Sequence, residues 1–125
     1  MIPADMGLKT LRFSVMAAAA AALSAGAALA QVSDSNVRAV NLARNWAVNN
    51  NGGLSVYRPS TCMFNTGEGG GSCLIQTNSQ GYTFRFLGGA PGWQQEGLRP
   101  TTETEVTVSP DGRSIINVGY NGAPR

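Results

Sequence analysis

The 125-residue sequence contains no histidine, and its one lysine, Lys9, lies near the beginning. Without histidine the chain lacks the usual general base, the catalytic triads built on it and histidine-ligated zinc sites. Without lysine after residue 30, Ser–Lys dyads and Schiff-base catalysis are also excluded from the rest of the chain. We therefore expect a protein that is not an enzyme, with no catalytic, cofactor-binding or metal-ligating residues.

Charged residues are also scarce, at 13% of the sequence. Residues 31–125 carry seven arginines and six carboxylates, a net charge of +1. The arginines are spread along the chain: Arg38, Arg44, Arg58, Arg85, Arg99, Arg113 and Arg125. Because nucleic-acid-binding proteins normally present a basic patch or stripe, we expect no nucleic-acid partner.

The first 30 residues are typical of a signal peptide and hold 21 of the apolar residues. Lys9 and Arg12 form its positive region, Phe13–Leu29 its apolar region, and Ala28-Leu29-Ala30 a small-residue cleavage site. The alternative is an uncleaved anchor helix, but this region is dominated by alanine, which contributes little to membrane insertion. The pattern predicts an exported protein, periplasmic or secreted, with no membrane contact after cleavage.

The two cysteines, Cys62 and Cys73, flank a glycine-rich stretch, 63–72. In an exported chain such a pair favours a disulfide over a metal site or a catalytic thiol, and two free thiols are the alternative. Closing a loop of this length contributes about 3 kcal/mol in the chain-entropy description.

The hydrophobic pattern of residues 31–125 predicts a single small α+β domain. Ser33, Asp34 and Ser35 offer N-cap oxygens for a helix from near Asn36 to Asn50. Strands are expected at 54–57, at 61–65 and 72–77 as a disulfide-linked pair, at 82–87, at 102–109 and at 115–120. We expect one N-terminal helix packed on a curved antiparallel sheet of four to six strands.

Alternation assigns the faces of two of these strands. Tyr82, Phe84 and Phe86 should pack on the helix. Glu103 and Glu105 should lie together on a solvated face about 7 Å apart, given a rise of about 3.3 Å per residue. A glycosidase carboxylate pair flanks its substrate, so two glutamates on one strand face are not expected to be catalytic.

Trp93, Gln94 and Gln95 lie in a connection rich in glycine and proline. Two interpretations of Trp93 remain open at this point. It is either exposed, as a binding platform together with the two glutamines, or folded back over an open edge of the core.

Several segments together resemble small exported proteins of cyanobacteria. They are 41–44, 51–58, 84–89 with Pro91-Gly92, and 103–108 with Asn121-Gly122. The resemblance spans most of residues 31–125 and implies no catalytic residues. The order of elements also resembles a PepSY-type or cystatin-like arrangement, with a helix, an aromatic strand and a final hairpin that contains Ser109-Pro110-Asp111-Gly112. This second resemblance implies peptidase inhibition or binding.

The expected function is a non-catalytic exported binding or inhibitory module. The alternative is an envelope-associated structural or glycan-binding protein that uses Trp93 and exposed tyrosines. In either case we expect the partner to be a protein or a glycan outside the cytoplasm.

Export gives a direct prediction. Intact mass spectrometry of the protein from its native host should find a mature N-terminus at Gln31 or within a few residues of it. A mature chain that begins at Met1 or Met6, the two candidate start residues, would contradict the prediction of a cleaved signal peptide.

Overall fold

One α-helix and five antiparallel strands form the part of the chain that the computed structural model describes, residues 32–125. The predicted signal peptide lies outside these residues. The elements are α1 (Asp34–Asn50), β1 (Arg58–Pro59), β2 (Leu74–Asn78), β3 (Gly81–Gly89), β4 (Thr102–Val108) and β5 (Ile115–Gly122). The predicted α+β class is confirmed.

Helix α1 begins and ends where the sequence provides caps. Ser33 is extended, with φ −69° and ψ 153°, and its Oγ accepts a hydrogen bond from the backbone N–H of Asn36 at 3.2 Å. Asp34 stands in the first turn, where its charge complements the helix dipole. Beyond Asn50, Gly52 and Gly53 take positive φ values of 102° and 91°, and the helix stops.

The sheet has the order β1–β3–β4–β5, and β2 shares the β1 edge of β3. The beginning of β3 pairs with β2, through Gly81 and Asn78, and its end pairs with β1, through Gly89 and Arg58. The other edge of β3 pairs along most of its length with β4, which then pairs with β5.

The core lies between α1 and one face of the sheet. Its buried residues on the helix are Ala39, Val40, Ala43 and Ala47, and those on β3 and β4 are Phe84, Phe86, Val106 and Val108. The helix therefore approaches through small side chains and the sheet supplies the large ones. The predicted inward face of β3 is confirmed for Phe84 and Phe86, and Tyr82 packs against the same cluster.

Two predicted strands are not strands. Residues 54–57 form turns, because the Gly53 carbonyl accepts hydrogen bonds from the N–H groups of Val56 and Tyr57, at 3.2 and 2.9 Å. Thr61–Phe64 is a short 3₁₀ helix, followed by others at Thr66–Glu68 and Gly71–Cys73. Short apolar runs do not distinguish a strand from a turn that buries one or two side chains.

The predicted disulfide is confirmed between Cys62 and Cys73, whose Cα atoms lie 5.9 Å apart. It joins two 3₁₀ turns rather than two strands. It closes a loop whose Gly70 meets the core directly: a Cβ on Gly70 would lie 3.0 Å from the Phe84 ring and 3.3 Å from Val40. The bridge thus holds the glycine-rich segment over the end of the core.

Removing the bridge should destabilise the domain. We expect the double variant Cys62→Ser/Cys73→Ser to lose about 2–4 kcal/mol of unfolding free energy, measured by urea denaturation. Reduced wild-type protein should show a similar loss. An unfolding midpoint equal to that of the oxidised wild type would contradict a structural role for the bridge.

Candidate functional site

The face of the sheet turned away from α1, which we call the outer face, carries a group of polar side chains. Antiparallel register places directly paired residues on the same face. Two rows therefore cross the outer face from β3 to β5: Arg85–Glu105–Tyr120 and Leu87–Glu103–Gly122.

Arg125 folds back onto this face and contacts Glu103. Its Nη2 and Nε donate to Glu103 Oε2, at 2.8 and 3.0 Å, and its backbone N–H donates to Glu103 Oε1 at 3.0 Å. The preceding turn is held by Tyr120, whose hydroxyl donates to the Ala123 carbonyl at 2.5 Å. Glu103 thus binds both the side chain and the backbone of Arg125.

Two further groups surround the same guanidinium. Its Cζ lies 3.8 Å from the centre of the Tyr120 ring, within cation–π distance. A carboxylate oxygen of Glu105 lies 3.9 Å from Nη2. We call Glu103, Glu105 and Tyr120 the arginine cage.

Two glycines of β5 make room for the cage. A Cβ on Gly119 would come within 2.8 Å of Glu105 Oε2, and one on Gly122 within 3.2 Å of the Tyr120 hydroxyl. Gly122 is also the residue opposite Glu103 in the register, so the residue paired with Glu103 places no side chain over that carboxylate. Arg125 occupies the space instead.

Glu103 corrects the expectation of a solvated carboxylate pair. The residue is only 8% exposed. The pKa of its carboxyl is lowered from the ordinary value, first by the backbone hydrogen bond from Arg125, then by the side-chain hydrogen bonds and by the positive charges of Arg125 and Arg85. The sequence pattern missed this contact because Arg125 lies 22 residues away and belongs to no periodic segment.

A groove of about 530 Å³ opens beside the cage, within the size range of ligand sites. Arg85, Leu87, Pro100 and Pro124 line it together with the cage glutamates and Arg125. Arg85 is exposed, and within residues 32–125 its guanidinium makes no hydrogen bond or ion pair. Its charge is therefore available to a ligand.

Trp93 lies elsewhere and points inward. It is 7% exposed, its indole N–H donates to the Arg58 carbonyl at 2.9 Å, and its ring packs on Gly89. The structure thus has Trp93 covering the β1 edge of the sheet, which is the second of the two interpretations that the sequence leaves open. Gln94 is exposed and accepts a hydrogen bond from the Thr61 N–H, and Gln95 is exposed beside it. Binding at these two glutamines stays a prediction.

The described residues show neither a metal-ion cluster nor a membrane-spanning helix. Across residues 32–125, no three histidine, cysteine or carboxylate side chains lie close enough together to hold a metal ion. No helix in that part of the chain is long and apolar enough to cross a membrane.

Comparisons of the chain with protein-family models, with curated proteins and with solved structures found no match.

The Glu103 contact predicts a pH dependence. Its folded-state pKa lies below the ordinary 4.5, so its contribution to stability is complete above pH 4.5 and is lost as the pH falls through the folded pKa. Stability should fall most steeply below pH 4.5 in wild type, less in Arg125→Ala, which keeps the backbone N–H, and least in Glu103→Gln.

Urea unfolding at a series of pH values measures these slopes. Asp111 also has a lowered pKa, but it is present in all three proteins and cancels in the comparison. Parallel curves for the three proteins would contradict a structural role for the contact between Glu103 and Arg125.

Proposed function

We propose that the protein is a non-catalytic, exported binding or inhibitory module. In this proposal an extended segment of a partner protein lies in the groove on the outer face. The observation that carries the proposal is that a short piece of polypeptide, residues 123–125, already lies beside this groove, and its Arg125 is bound through both backbone and side chain.

Export is supported by two independent features. The first 30 residues have the charge, apolar length and small-residue ending of a cleaved leader. The disulfide between Cys62 and Cys73 is of the kind that persists in oxidising compartments.

A non-catalytic role is supported by the chemistry of the groove. A glycosidase-type general acid needs a carboxyl whose pKa is raised, so that it holds a proton near neutral pH. The pKa of Glu103 is shifted the other way, which favours a permanent anion that binds cations.

A protein partner is favoured over a glycan. Glycan binding was expected to use Trp93 and exposed tyrosines. The Trp93 side chain is buried and hydrogen-bonded to β1, and the three tyrosines are buried or half-buried. The groove instead offers charged groups of both signs beside Leu87 and two prolines, a surface that suits a peptide with mixed side chains.

Selection of random peptides displayed on phage against the immobilised protein tests this function. Selected peptides should bind the wild type, and binding should weaken about tenfold or more in Arg85→Glu, a loss of about 1.4 kcal/mol. Arg113→Glu is the matched control, because Arg113 is also exposed but lies in the turn before β5. Affinities are measured by isothermal titration calorimetry.

The binding position is checked by amide chemical shifts. Peptide should shift the signals of Arg85, Leu87, Glu105 and Tyr120 and leave those of α1 in place. Enrichment of no peptide, equal binding by Arg85→Glu and wild type, or shifts confined to α1 would refute the proposed groove.

A further inference from the structure

We propose that the arginine cage is a recognition site for an arginine side chain of the partner segment, and that Arg125 occupies it as an internal ligand which the partner displaces. This inference depends on the proposed function, because it names the residue that the groove selects.

The cage matches the shape of a guanidinium group and not merely a positive charge. The edge of the guanidinium, Nε and Nη2, meets Glu103 Oε2, while its flat face lies on the Tyr120 ring. A planar guanidinium satisfies both contacts at once, whereas a lysine ammonium is a point charge with no face to stack. The geometry therefore favours arginine over lysine.

The cage brings two negative charges to one guanidinium. Both oxygens of Glu103 accept hydrogen bonds from Arg125, and Glu105 adds a second carboxylate 3.9 Å from Nη2. Neighbouring carboxylates repel each other, and a positive charge between them relieves that repulsion. The cage therefore favours a bound cation, whether it comes from Arg125 or from another chain.

Arg125 is held in a way that permits exchange. Its side chain is 47% exposed, and Ala123 and Pro124 are exposed as well. The side-chain contacts that hold it are with the cage, and none involves the core residues on α1. Arg125 can therefore leave the cage while the helix and the sheet stay packed.

An internal ligand also lowers the apparent affinity of the cage for any competing arginine. A tethered group competes at an effective concentration on the order of millimolar, so an arginine alone displaces it poorly. A partner needs a second contact, and the guanidinium of Arg85, which forms no ion pair within residues 32–125, supplies one. Arg85 and Tyr120 stand in the same row two strand spacings apart, roughly 10 Å.

This spacing defines the partner segment further. A partner segment in the extended polyproline II conformation has three residues per turn and advances about 3.1 Å per residue, so side chains three positions apart lie on the same side, about 9 Å from each other. The partner should carry an arginine for the cage and an acidic residue about three positions away for Arg85.

The first test titrates the full chain carrying Arg125→Ala with the probe N-acetyl-arginine methylamide. Binding is monitored through the amide chemical shifts of Tyr120 and Glu105. At probe concentrations up to about 10 mM we expect saturable binding to Arg125→Ala and an affinity about tenfold or more lower for wild type, where Arg125 competes. The lysine and citrulline analogues are the matched control probes and should bind Arg125→Ala about tenfold more weakly than arginine. The double variants Arg125→Ala/Glu103→Gln and Arg125→Ala/Tyr120→Leu should lose the preference for arginine, and circular dichroism confirms that each is folded.

The second test uses acetylated, amidated peptides of sequence Arg-Ala-Ala-Asp and Asp-Ala-Ala-Arg, with Asn in place of Asp as the control. At least one Asp peptide should bind Arg125→Ala several-fold more tightly than its Asn control, and Arg85→Ala in the same background should abolish the difference. Equal affinity for the Asp and Asn peptides would refute the inference that the partner carries an acidic residue three positions from its arginine.

If the arginine probe does not bind Arg125→Ala, or if the arginine and lysine probes bind it equally, the cage is not an arginine recognition site. These failures are distinguishable from failure of the proposed function. If phage-selected peptides bind the groove but show no preference for arginine, the groove function stands and the cage is wrong. If no peptide is selected, the groove function fails whatever the cage binds.

Discussion

Packing of the Phe84 ring against the helix is the interaction on which the rest of the domain depends. Phe84 is fully buried in the middle of β3, paired with Val106 of β4 on one side and with Leu74 of β2 on the other. Gly70 closes over the ring and over Val40 of α1. One aromatic side chain therefore joins the helix, three strands and the disulfide-held loop, which matters in a domain with few large apolar residues.

The same packing positions the candidate site. Side chains alternate along β3 and β4, so burying Phe84 and Val106 places Arg85 and Glu105 on the outer face in one row. A register slip of one residue would send the charged residues into the core, at a large energetic penalty. The outer rows are therefore as firmly defined as the core, although they are largely polar and partly exposed.

Much of this fold was predictable from local patterns. An N-cap among Ser33, Asp34 and Ser35, the helix stop at Gly52 and the alternation in β3 and β4 depend on neighbours a few residues apart, and these predictions were confirmed. Ser33 is the cap, and the helix begins at Asp34 instead of near Asn36. The turns at 54–57 and the 3₁₀ helix at Thr61–Phe64 were missed. Their apolar residues occupy runs too short to have a period, and tertiary packing decides their form.

The candidate site was much less predictable than the fold. Glu103 and Glu105 were recognised as neighbours on one face, but the burial of Glu103 depends on Arg125, which is remote in sequence and is brought back by a turn at Tyr120. Gly119 and Gly122 carried the only local signal, because glycines in a strand mark a close approach of another group. Trp93 was ambiguous because a loop tryptophan has no periodicity to show which way it faces.

The contacts at the two ends of α1 have a consequence for the order in which the molecule assembles. Near its beginning, Arg38 donates two hydrogen bonds to the Asp111 carbonyl, at 3.1 and 2.9 Å. Just past its end, Asn51 and Asn121 exchange a pair of side-chain hydrogen bonds, each of 3.2 Å. A chain synthesised from its N-terminus thus presents its helix long before the turn and the strand that bind the two helix ends. The helix can pack on β3 and β4 first, and these hydrogen bonds at its two ends form only when the C-terminal hairpin is complete.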